Sequence, residues 1–325
     1  MKVGFIGLGH MGAPMSGNVL AAGHDLVVHD VRPDAAEGVL AAGATWADSA
    51  REAGVDRDVV ITMLPGPGQV EEVLLGPVGL LAGLPTGAIW IDMSTSVPAV
   101  ADKVRALAGP RITVLDAPVV GGVTGATGGT LQIFVGGATG DYLRVRPLLE
   151  AMGDPERILH VGPHGAGYTV KLMINLLWFA YVTITAEALT VGVRAGVDAA
   201  TLHRSLLASA ATSHFLERDV LSVLERGDYD EGFALALACK DIGLAADLAR
   251  VTGVPAPVSA AVEQVYRQAQ ARYGDAGGEM LPIKLLEDLT GTPLRLPGEA
   301  LLPDTPAPLG PSIPIDLTAP PSPST

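Results

Sequence analysis

The chain is poor in cysteine and in positive charge. Its 325 residues include a single cysteine, Cys239, which excludes an internal disulfide and a metal site built from several cysteines. It carries 21 Lys and Arg residues against 35 Asp and Glu residues, so the formal net charge is −14, and it has no basic tract. We therefore expect neither nucleic acid nor an anionic membrane surface as a partner.

Two further absences concern targeting and metal binding. No cationic segment precedes the apolar run Val3–Leu8, so we expect no signal peptide, and the single thiol fits a reducing, cytoplasmic location. The long apolar run Leu176–Val193 is interrupted by Glu187 and by threonines, which favours a buried helix in a soluble core over a membrane span. His, Asp and Glu residues show no metal-ligand spacing, so we predict no metal site.

Glycine, by contrast, is abundant, and near the start of the chain it forms a motif. An apolar run leads into Gly7, Gly9 and Gly12, a helical stretch follows, and a second apolar run ends at Asp30. Gly7 permits a tight turn, Gly9 lets a pyrophosphate approach the backbone, and Gly12 lets the helix pack close to the strand. The helix start offers free N–H groups to the phosphates. Asp30 follows Gly12 by 18 positions, near the ~20 expected for an acid that binds ribose hydroxyls, so the segment predicts a dinucleotide site.

The residues around Asp30 also bear on the choice of cofactor. A carboxylate at this position bonds the ribose 2′-hydroxyl and repels a 2′-phosphate, which favours NAD over NADP. Val31 adds no cation, whereas Arg32 could soften the preference. We predict NAD, with NADP less favoured. A glycine turn that binds no ligand is the competing interpretation of the motif.

Strand and helix patterns divide the chain into an α/β part, an all-α part and a tail. Apolar runs alternate with amphipathic helical patterns through the first half, which predicts a mostly parallel sheet covered on both faces. After about Gly167 the β patterns end. We predict a Rossmann-type α/β dinucleotide-binding domain at 1–164, an all-α domain at 165–292 and a Pro-rich disordered tail at 293–325. The predicted strands are Val3–Gly7, Leu26–Asp30, Val59–Leu64, Ile89–Asp92, Thr113–Ala117 and Gln132–Gly136. The helices predicted for the second domain are Tyr168–Ala195, Thr201–Ser209, Phe215–Glu225, Ala234–Val251 and Val258–Arg272.

Two later segments carry residue types suited to chemistry. In the glycine-rich stretch 116–131, the paired Gly121 and Gly122 allow backbone N–H groups to face a bound anion, or they form an ordinary loop. In the stretch 165–175, Lys171 and Asn175 are four residues apart and share one helix face. A lysine among apolar neighbours is desolvated and exchanges its proton more readily, although a solvated surface charge is the alternative.

Taken together and in order, these motifs resemble the β-hydroxyacid dehydrogenase family, which includes 3-hydroxyisobutyrate dehydrogenase, tartronate semialdehyde reductase and the glyoxylate and succinic semialdehyde reductases. The resemblance runs from Met1 to about Leu289. The matching segments are Gly7–Met15 with Asp30, Met63–Pro65, Asp92–Pro98, Asp116–Gly128, Gly165–Asn175, and Phe233 with Lys240 and Asp241. The resemblance implies an NAD(P)-dependent dehydrogenase acting on CH–OH groups. It also implies a small-molecule substrate and a homodimer or homotetramer built through the all-α domain.

The resemblance also implies roles for single residues. Lys171 matches the family's catalytic lysine, the general acid/base at the substrate oxygen, and Asn175 matches its partner on the helix. The residues that match the cofactor site are Gly7, Leu8, Gly9, His10, Met11, Gly12, Asp30, Leu64, Pro65, Thr95 and Lys240. The residues that match the substrate site are Val120, Gly121, Gly122, Phe233 and Asp241.

Two departures from the family pattern concern the substrate. Val120 stands where the family commonly has a serine, and loss of one such charge-assisted hydrogen bond to a carboxylate costs ~1.5–3 kcal/mol unless a nearby hydroxyl such as Thr124 compensates. The family often has two adjacent asparagines after the lysine, whereas here Ile174 precedes Asn175 and Leu176 follows it. The site therefore looks more apolar than is usual.

We expect reversible hydride transfer between a 3-hydroxy acid and the matching semialdehyde. One alternative is a reductase of imines or bulky carbonyls, which Val120 favours and Lys171 opposes. A second alternative is a non-catalytic cofactor-binding scaffold, which the joint presence of Lys171, Asn175 and Lys240 opposes.

Overall fold

The computed structural model describes residues 1–296, and its first half is built around one sheet. The strands are β1 (Lys2–Ile6), β2 (Asp25–His29), β3 (Thr45–Trp46), β4 (Val59–Thr62), β5 (Ile89–Asp92), β6 (Thr113–Asp116), β7 (Val119–Val120), β8 (Leu131–Gly136) and β9 (Gly153–Gly162). Their order is β3-β2-β1-β4-β5-β6-β8-β7, and β9 pairs with β8. The strands from β3 to β6 run parallel, whereas β8 is antiparallel to β6 and β7. The order reverses between β1 and β4, and such a reversal opens a ligand crevice at the carboxyl ends of the strands.

All the strands expected from the sequence are present, with bounds that differ by at most two residues. The prediction missed β3, β7 and β9. β3 and β7 are two residues each, too short to show a pattern of alternation. β9 contains the segment 154–157, Asp-Pro-Glu-Arg, which is typical of a turn.

Helices cover both faces of the sheet. They are α1 (Gly12–Ala21), α2 (Glu37–Ala41), α3 (Ala50–Gly54), α4 (Pro67–Leu75), α5 (Leu80–Gly83), α6 (Pro98–Ala108), α7 (Gly122–Gly128) and α8 (Thr139–Leu149). Short 3₁₀ turns lie at Pro33–Ala36 and Gly109–Arg111. Alternate residues of the central strands enter two separate cores: Val59 and Ile61 of β4 pack on one side, and Val60 packs on the other with Trp90. This two-sided burial confirms the predicted doubly covered, mostly parallel sheet.

The second half is helical. Its helices are α9 (Ala166–Arg194), α10 (Ala199–Leu207), α11 (Leu235–Thr252), α12 (Pro257–Tyr273) and α13 (Leu281–Thr290), with π-helical turns at Phe215–Asp219 and Ser222–Arg226. Phe179 and Val182 of α9 pack with Ile242 of α11 and Tyr266 of α12 in one core. The prediction missed α13, which carries Pro282 in its first turn, where proline is tolerated.

Helix α9 contains the long apolar run. Among residues 1–296 it alone is long and apolar enough to cross a membrane by length and composition, a test that core helices of globular proteins also pass. One face, with Leu172, Phe179 and Ala186, is buried, as the sequence predicts. The opposite face exposes apolar side chains that the sequence analysis did not anticipate.

The start of the predicted tail is wrong by at least four residues. Leu294 is 1% exposed, and Leu296 donates its backbone N–H to the carbonyl of Leu224. Arg295 forms an ion pair with the buried Glu287, N···O 2.8 Å. The prolines dominate the composition here, but two leucines and an ion pair suffice to hold 293–296 on the helical domain. The rest of the predicted tail, 297–325, lies outside the described residues.

Candidate active site

The glycine loop lies between β1 and α1, at the crevice where the strand order reverses. Gly7 has φ +95°, and a Cβ there would lie 2.2 Å from the Met63 carbonyl oxygen, so other residues are excluded. A Cβ on Gly12 would lie 1.8 Å from the Gly7 carbonyl oxygen. At Gly9, by contrast, an added Cβ would have no described atom within 4 Å. The loop therefore combines one tight turn, one close helix contact and one open position, which is what a dinucleotide phosphate requires.

The start of α1 is suited to an anion. In the part of the chain that the structure describes, no side chain caps α1 and no acidic residue stands in its first turn. His10 is exposed and Met11 is the first flanking residue of the helix. The Leu8 side chain is buried in the core, so only the backbone of this residue is available to a ligand. The free N–H groups and the dipole of α1 can thus hold a phosphate.

Asp30 lies at the end of β2, beside this loop. Its two carboxylate oxygens accept from Leu8 N at 2.6 Å and from Arg32 N at 2.8 Å. The Arg32 side chain is exposed. The carboxylate is therefore held in a fixed position at the rim, with lone pairs still free for ribose hydroxyls.

The loops after β4 and β5 lie on the other side of the crevice and are tied together. Leu64 N donates to Ser94 Oγ at 2.9 Å, and Ser94 Oγ donates to the buried Asp92 carboxylate at 2.6 Å. Pro65 is exposed, and Thr95 is partly exposed. These predicted cofactor residues thus lie at the carboxyl edge of the sheet with the glycine loop.

Two buried aspartates fix the start of α9. Asp116, at the end of β6, accepts from Gly165 N at 2.8 Å and from Tyr168 N at 3.1 Å. Tyr168 in turn donates its hydroxyl to Asp92 at 2.6 Å. Burial raises the pKa of Asp116, and the same cause raises the pKa of Tyr168 well above its ordinary value. The sequence analysis assigned no role to these three residues, because only the fold brings them together.

Lys171 follows this anchored turn and lies on the same face of α9 as Asn175. The Asn175 amide donates to Asp241 of α11 at 2.6 Å, and the other Asp241 oxygen lies 2.7 Å from Lys240 Nζ. Lys240 Nζ also donates to the Thr95 carbonyl at 3.3 Å. A continuous polar chain therefore joins the helical domain to the sheet domain beside Lys171.

Lys171 itself is partly buried, and among residues 1–296 its ammonium forms no hydrogen bond or ion pair within bonding distance. Burial lowers the pKa of Lys171, the nearby Asp241 and Glu279 carboxylates raise it, and Lys240 lowers it. A lysine held in this way can exchange a proton with a ligand.

The predicted substrate residues are only partly brought together. Val120 ends β7, and Gly121 and Gly122, both with positive φ, lead into α7 with their backbones exposed. Phe233 packs in the helical core, and its carbonyl accepts from Glu279 N at 3.0 Å. In the described range, no hydrogen bond or ion pair links 120–122 or Phe233 to Lys171.

Sequence analysis missed one acid of this site, Glu279. It is 7% exposed, and Trp178 Nε1 donates to it at 3.3 Å. Trp178 lies two turns beyond Lys171 on the same face of α9 and packs edge-on against Phe215. No local pattern marks Glu279, which lies far from the other motifs in the sequence.

The described residues were also compared with the arrangement that a metal site needs. Among residues 1–296, no group of three or more His, Cys, Asp or Glu side chains is arranged to hold a metal ion.

Comparison with known proteins follows the same two-domain division. The family model described as the NAD binding domain of 6-phosphogluconate dehydrogenase matches residues 2–162, and that described as NAD-binding of NADP-dependent 3-hydroxyisobutyrate dehydrogenase matches residues 165–286. The NAD-dependent L-serine dehydrogenase of Pseudomonas aeruginosa is 41% identical over 273 residues, which cover 82% of this chain and 91% of the relative. The chain belongs to the β-hydroxyacid dehydrogenase family.

Two more matches support membership of this family. The 3-hydroxyisobutyrate dehydrogenase of Pseudomonas aeruginosa is 39% identical over 295 residues, 88% of this β-hydroxyacid dehydrogenase and 97% of that protein. The structure of Mycobacterium tuberculosis 3-hydroxyisobutyrate dehydrogenase with L-serine superimposes with a TM-score of 0.81 at 34% identity, and it covers 88% of this chain and 98% of its own. The protein is therefore an NAD(P)-dependent oxidoreductase that acts on CH–OH groups, as the resemblance in the sequence implies.

Proposed function

We propose that this enzyme transfers hydride reversibly between a 3-hydroxy acid and the matching semialdehyde, with Lys171 as the general acid/base. The observation that carries the proposal is the position of Lys171. It follows the turn of α9 that Asp116 anchors to the sheet, and its pKa is lowered by burial. Asn175, one turn on, is oriented by Asp241. The names of the relatives, which include 3-hydroxyisobutyrate dehydrogenase and L-serine dehydrogenase, point to the same class of substrate.

Different residues of the chain would bind the dinucleotide and transfer the proton. A bound nicotinamide dinucleotide supplies or accepts the hydride. The backbone of Gly7–Gly12 would hold its pyrophosphate and Asp30 its ribose, while Leu64, Pro65, Thr95 and Lys240 would line the nicotinamide side. In oxidation, Lys171 Nζ takes the hydroxyl proton as the carbonyl forms. In reduction, Lys171 returns that proton to the carbonyl oxygen.

The carboxylate end of the substrate is assigned to Gly121 and Gly122, whose backbone N–H groups can donate to it. Val120 offers no hydroxyl there, and Thr124, which is exposed in the first turn of α7, is the nearest replacement in sequence. Binding of the substrate carboxylate therefore depends on backbone N–H donors. We expect a higher KM for the hydroxy acid than an enzyme with serine at this position would have.

A panel of substrates tests this proposal. Purified enzyme is assayed for NAD and NADP reduction with short 3-hydroxy acids, and for the reverse reaction with semialdehydes, bulky carbonyls and a cyclic imine. Turnover of a 3-hydroxy acid and of its semialdehyde is the expected result. Turnover of the imine alone would establish the reductase alternative, and dinucleotide binding without turnover of any compound would establish the scaffold.

NAD is proposed as the preferred dinucleotide, with NADP used less well. The support is the carboxylate of Asp30, which Leu8 N and Arg32 N hold beside the glycine loop and which would repel a 2′-phosphate, while the Arg32 side chain is exposed.

The variant Asp30→Asn tests this preference. Loss of the charge weakens the acceptor for the ribose hydroxyls and removes the repulsion of a 2′-phosphate, so we expect the NAD/NADP ratio of kcat/KM to fall about tenfold or more. The measurement is steady-state kinetics with each dinucleotide at saturating substrate. Asp34→Asn, an exposed acid in the next turn, is the control. An unchanged ratio in Asp30→Asn would contradict the proposal.

A homodimer or homotetramer built through the helical domain is also proposed. The support is the exposed stripe of α9, which runs along one side of the helix, opposite its buried face. The stripe is Met173, Leu177, Tyr181, Ile184 and Val191, which are 37–68% exposed. Exposed apolar side chains aligned over five helical turns support this proposal, because a second copy of the chain would bury them.

Substitution of the stripe tests the assembly. Leu177→Glu with Ile184→Glu places two charges on the face, and we expect the variant to run as a monomer in size-exclusion chromatography with light scattering. Val251→Glu, at a comparably exposed apolar position on α11, is the control and should keep the assembly of the unaltered protein. Retention of the oligomer by the double variant would exclude this face.

The cytoplasmic location is likewise a proposal. It is supported by the single cysteine, Cys239, because a chain that cannot form an internal disulfide fits a reducing compartment.

A further inference from the structure

Asp92 is a fully buried carboxylate at the end of β5, and the reaction described above does not use it. Among residues 1–296 it accepts four hydrogen bonds and pairs with no cation. Burial raises the pKa of Asp92, whereas the hydrogen bonds from Ser94, Tyr168 and Thr62 lower it. An ionised carboxylate offers about four acceptor positions, so the donors around Asp92 match the capacity of its charged form.

One oxygen of Asp92 holds the loops after β4 and β5. Oδ1 accepts from Thr62 Oγ1 at 2.7 Å, from Ser94 Oγ at 2.6 Å and from Ser94 N at 3.2 Å. Ser94 Oγ accepts in turn from Leu64 N at 2.9 Å, and Thr62 Oγ1 accepts from Trp90 Nε1 at 3.0 Å. Each hydroxyl therefore takes an N–H bond and gives its own proton to Asp92. The loop that contains Leu64 is thus bound, through Ser94, to Oδ1.

The other oxygen of Asp92 holds helix α9. Oδ2 accepts from the hydroxyl of Tyr168 at 2.6 Å, and the Tyr168 side chain is fully buried. Tyr168 precedes Lys171 by three residues and Asn175 by seven, so all three lie on one face of the helix. A single carboxylate therefore joins the face of α9 that carries Lys171 to the loops after β4 and β5.

The bonds to Asp92 are of a kind that resists displacement. The three hydroxyl donors, which belong to Thr62, Ser94 and Tyr168, lie 2.6–2.7 Å from it. Hydrogen bonds to a charged acceptor are about this short, and they are roughly twice as strong as bonds between neutral groups. Thr62, Ser94 and Tyr168 are each 0% exposed, so water does not compete for these bonds.

We propose that Asp92 is a positioning residue of the reaction and sets the distance between the nicotinamide and the amine of Lys171. This inference rests on the proposed function and adds a residue to the same site. The hydride and the proton are exchanged with two bonded atoms, the carbinol carbon and its oxygen, so the groups that transfer them must keep a matched separation. Leu64 belongs to the proposed nicotinamide side and Lys171 to α9. An error of about 1 Å in such a separation can cost about 100-fold in rate.

Three variants test the two links. Tyr168→Phe removes the hydroxyl that binds Oδ2 and keeps the ring. Ser94→Ala removes the hydroxyl that connects Leu64 N to Oδ1, and the double variant lacks both links. Asp92→Asn replaces one acceptor oxygen with an amide nitrogen that can only donate, so it weakens both links through one substitution.

Tyr142→Phe is the matched control. The buried hydroxyl of Tyr142 donates to the Ile158 carbonyl at 3.3 Å, so its loss removes a hydrogen bond of the sheet domain without touching Asp92. Each enzyme is assayed in the reductive direction with a compound that the unaltered enzyme turns over, with NADH and with NADH deuterated twice at C4. NADH binding without substrate is titrated by fluorescence, and stability is measured by urea denaturation.

The expected result is a loss in the hydride step. Tyr168→Phe should lower kcat about tenfold, with a deuterium isotope effect on kcat at least as large as that of the unaltered enzyme. Its Kd for NADH should stay within about twofold, because the glycine loop and Asp30 are unaltered. Ser94→Ala should lower kcat to a similar extent and also raise the Kd. The double variant and Asp92→Asn should lose little more than the larger single loss, because either cut already releases the separation.

Two results would overturn the inference. If Tyr168→Phe is less stable but keeps its kcat and isotope effect, as expected for Tyr142→Phe, Asp92 supports only the fold. If the losses in kcat multiply in the double variant, the two links act independently and Asp92 does not join them. The proposed function is tested separately, by the compounds that the unaltered enzyme turns over. Turnover of an imine alone would overturn that function while the same variants still tested Asp92, and no turnover of any compound would overturn both.

Discussion

Lys171→Ala is expected to lower turnover by about 10²–10⁴-fold, the usual contribution of a positioned general acid/base. The loss should fall on kcat and kcat/KM together, because the proton transfer occurs only in the transition state. Binding of the dinucleotide should persist, since the glycine loop and Asp30 lie on the sheet domain. Turnover is measured under saturating conditions, and dinucleotide binding is measured by titration of protein fluorescence.

Two further variants sharpen this test. Lys171→Arg keeps a positive charge but cannot be deprotonated, so it should be as inactive in oxidation as the alanine variant. Lys103→Ala removes an exposed lysine of α6 that pairs with Glu71 and should behave like the unaltered enzyme. Near-normal turnover in Lys171→Ala would mean that another group exchanges the proton.

The pH profile gives the same assignment an independent check. Burial lowers the pKa of Lys171, so its midpoint should lie below the ordinary lysine value of about 10.4. Oxidation needs the neutral amine, so its kcat/KM should rise as the pH increases through this midpoint. Reduction needs the ammonium form, so its kcat/KM should fall over the same range. Both limbs should be absent from any residual activity of Lys171→Ala.

The strand, glycine turn, helix and second strand that end at Asp30 could be predicted from the sequence because they are continuous in it. Gly12 is required by its contact with Gly7, and Asp30 ends the next strand, whereas the contact that requires Gly7 is with Met63, beyond β4. The long helix α9 could be predicted for the same reason, since its apolar pattern is continuous over many turns. Lys171 and Asn175 follow from it, because four residues on a helix return to the same face.

The supports of the site could not be predicted in this way. Asp92 and Asp116 lie at the ends of neighbouring parallel strands, and they meet Tyr168 only when the sheet forms. Glu279 reaches the site through a turn that pairs with a loop more than 40 residues earlier in the chain. Neither arrangement leaves a periodic signal, because each depends on contacts between elements that are distant in sequence.

The start of the tail illustrates a different failure. The proline content predicted disorder from Pro293 onward. Whether this short segment packs on the helical domain, however, depends on a few single side chains. Leu294 is buried, Leu296 is partly buried, and Arg295 forms an ion pair with Glu287. Composition averages over such a short segment and so misses it.

Asp116 is the support with the largest expected effect. Asp116→Ala leaves the N–H groups of Gly165 and Tyr168 without their acceptor, and each unsatisfied buried group costs about 1–3 kcal/mol. We expect the free energy of unfolding to fall by about 2–5 kcal/mol, measured by urea denaturation. Asp102→Ala removes an exposed acid paired with Arg105 and should change it by less than about 1 kcal/mol.

The same substitution should also affect catalysis in the fraction that remains folded. Asp116 holds the first turn of α9, and the Lys171 side chain projects from the next turn. A shift of the first turn would therefore move the amine of Lys171 relative to the substrate oxygen. A displacement of about 1 Å can cost about 100-fold in rate, and we expect kcat to fall by about 10- to 100-fold at a temperature below the unfolding transition. KM for the dinucleotide should change little, because the glycine loop is attached to β1 and not to α9. A variant that is less stable but keeps its kcat would show that Asp116 holds the domains together without positioning Lys171.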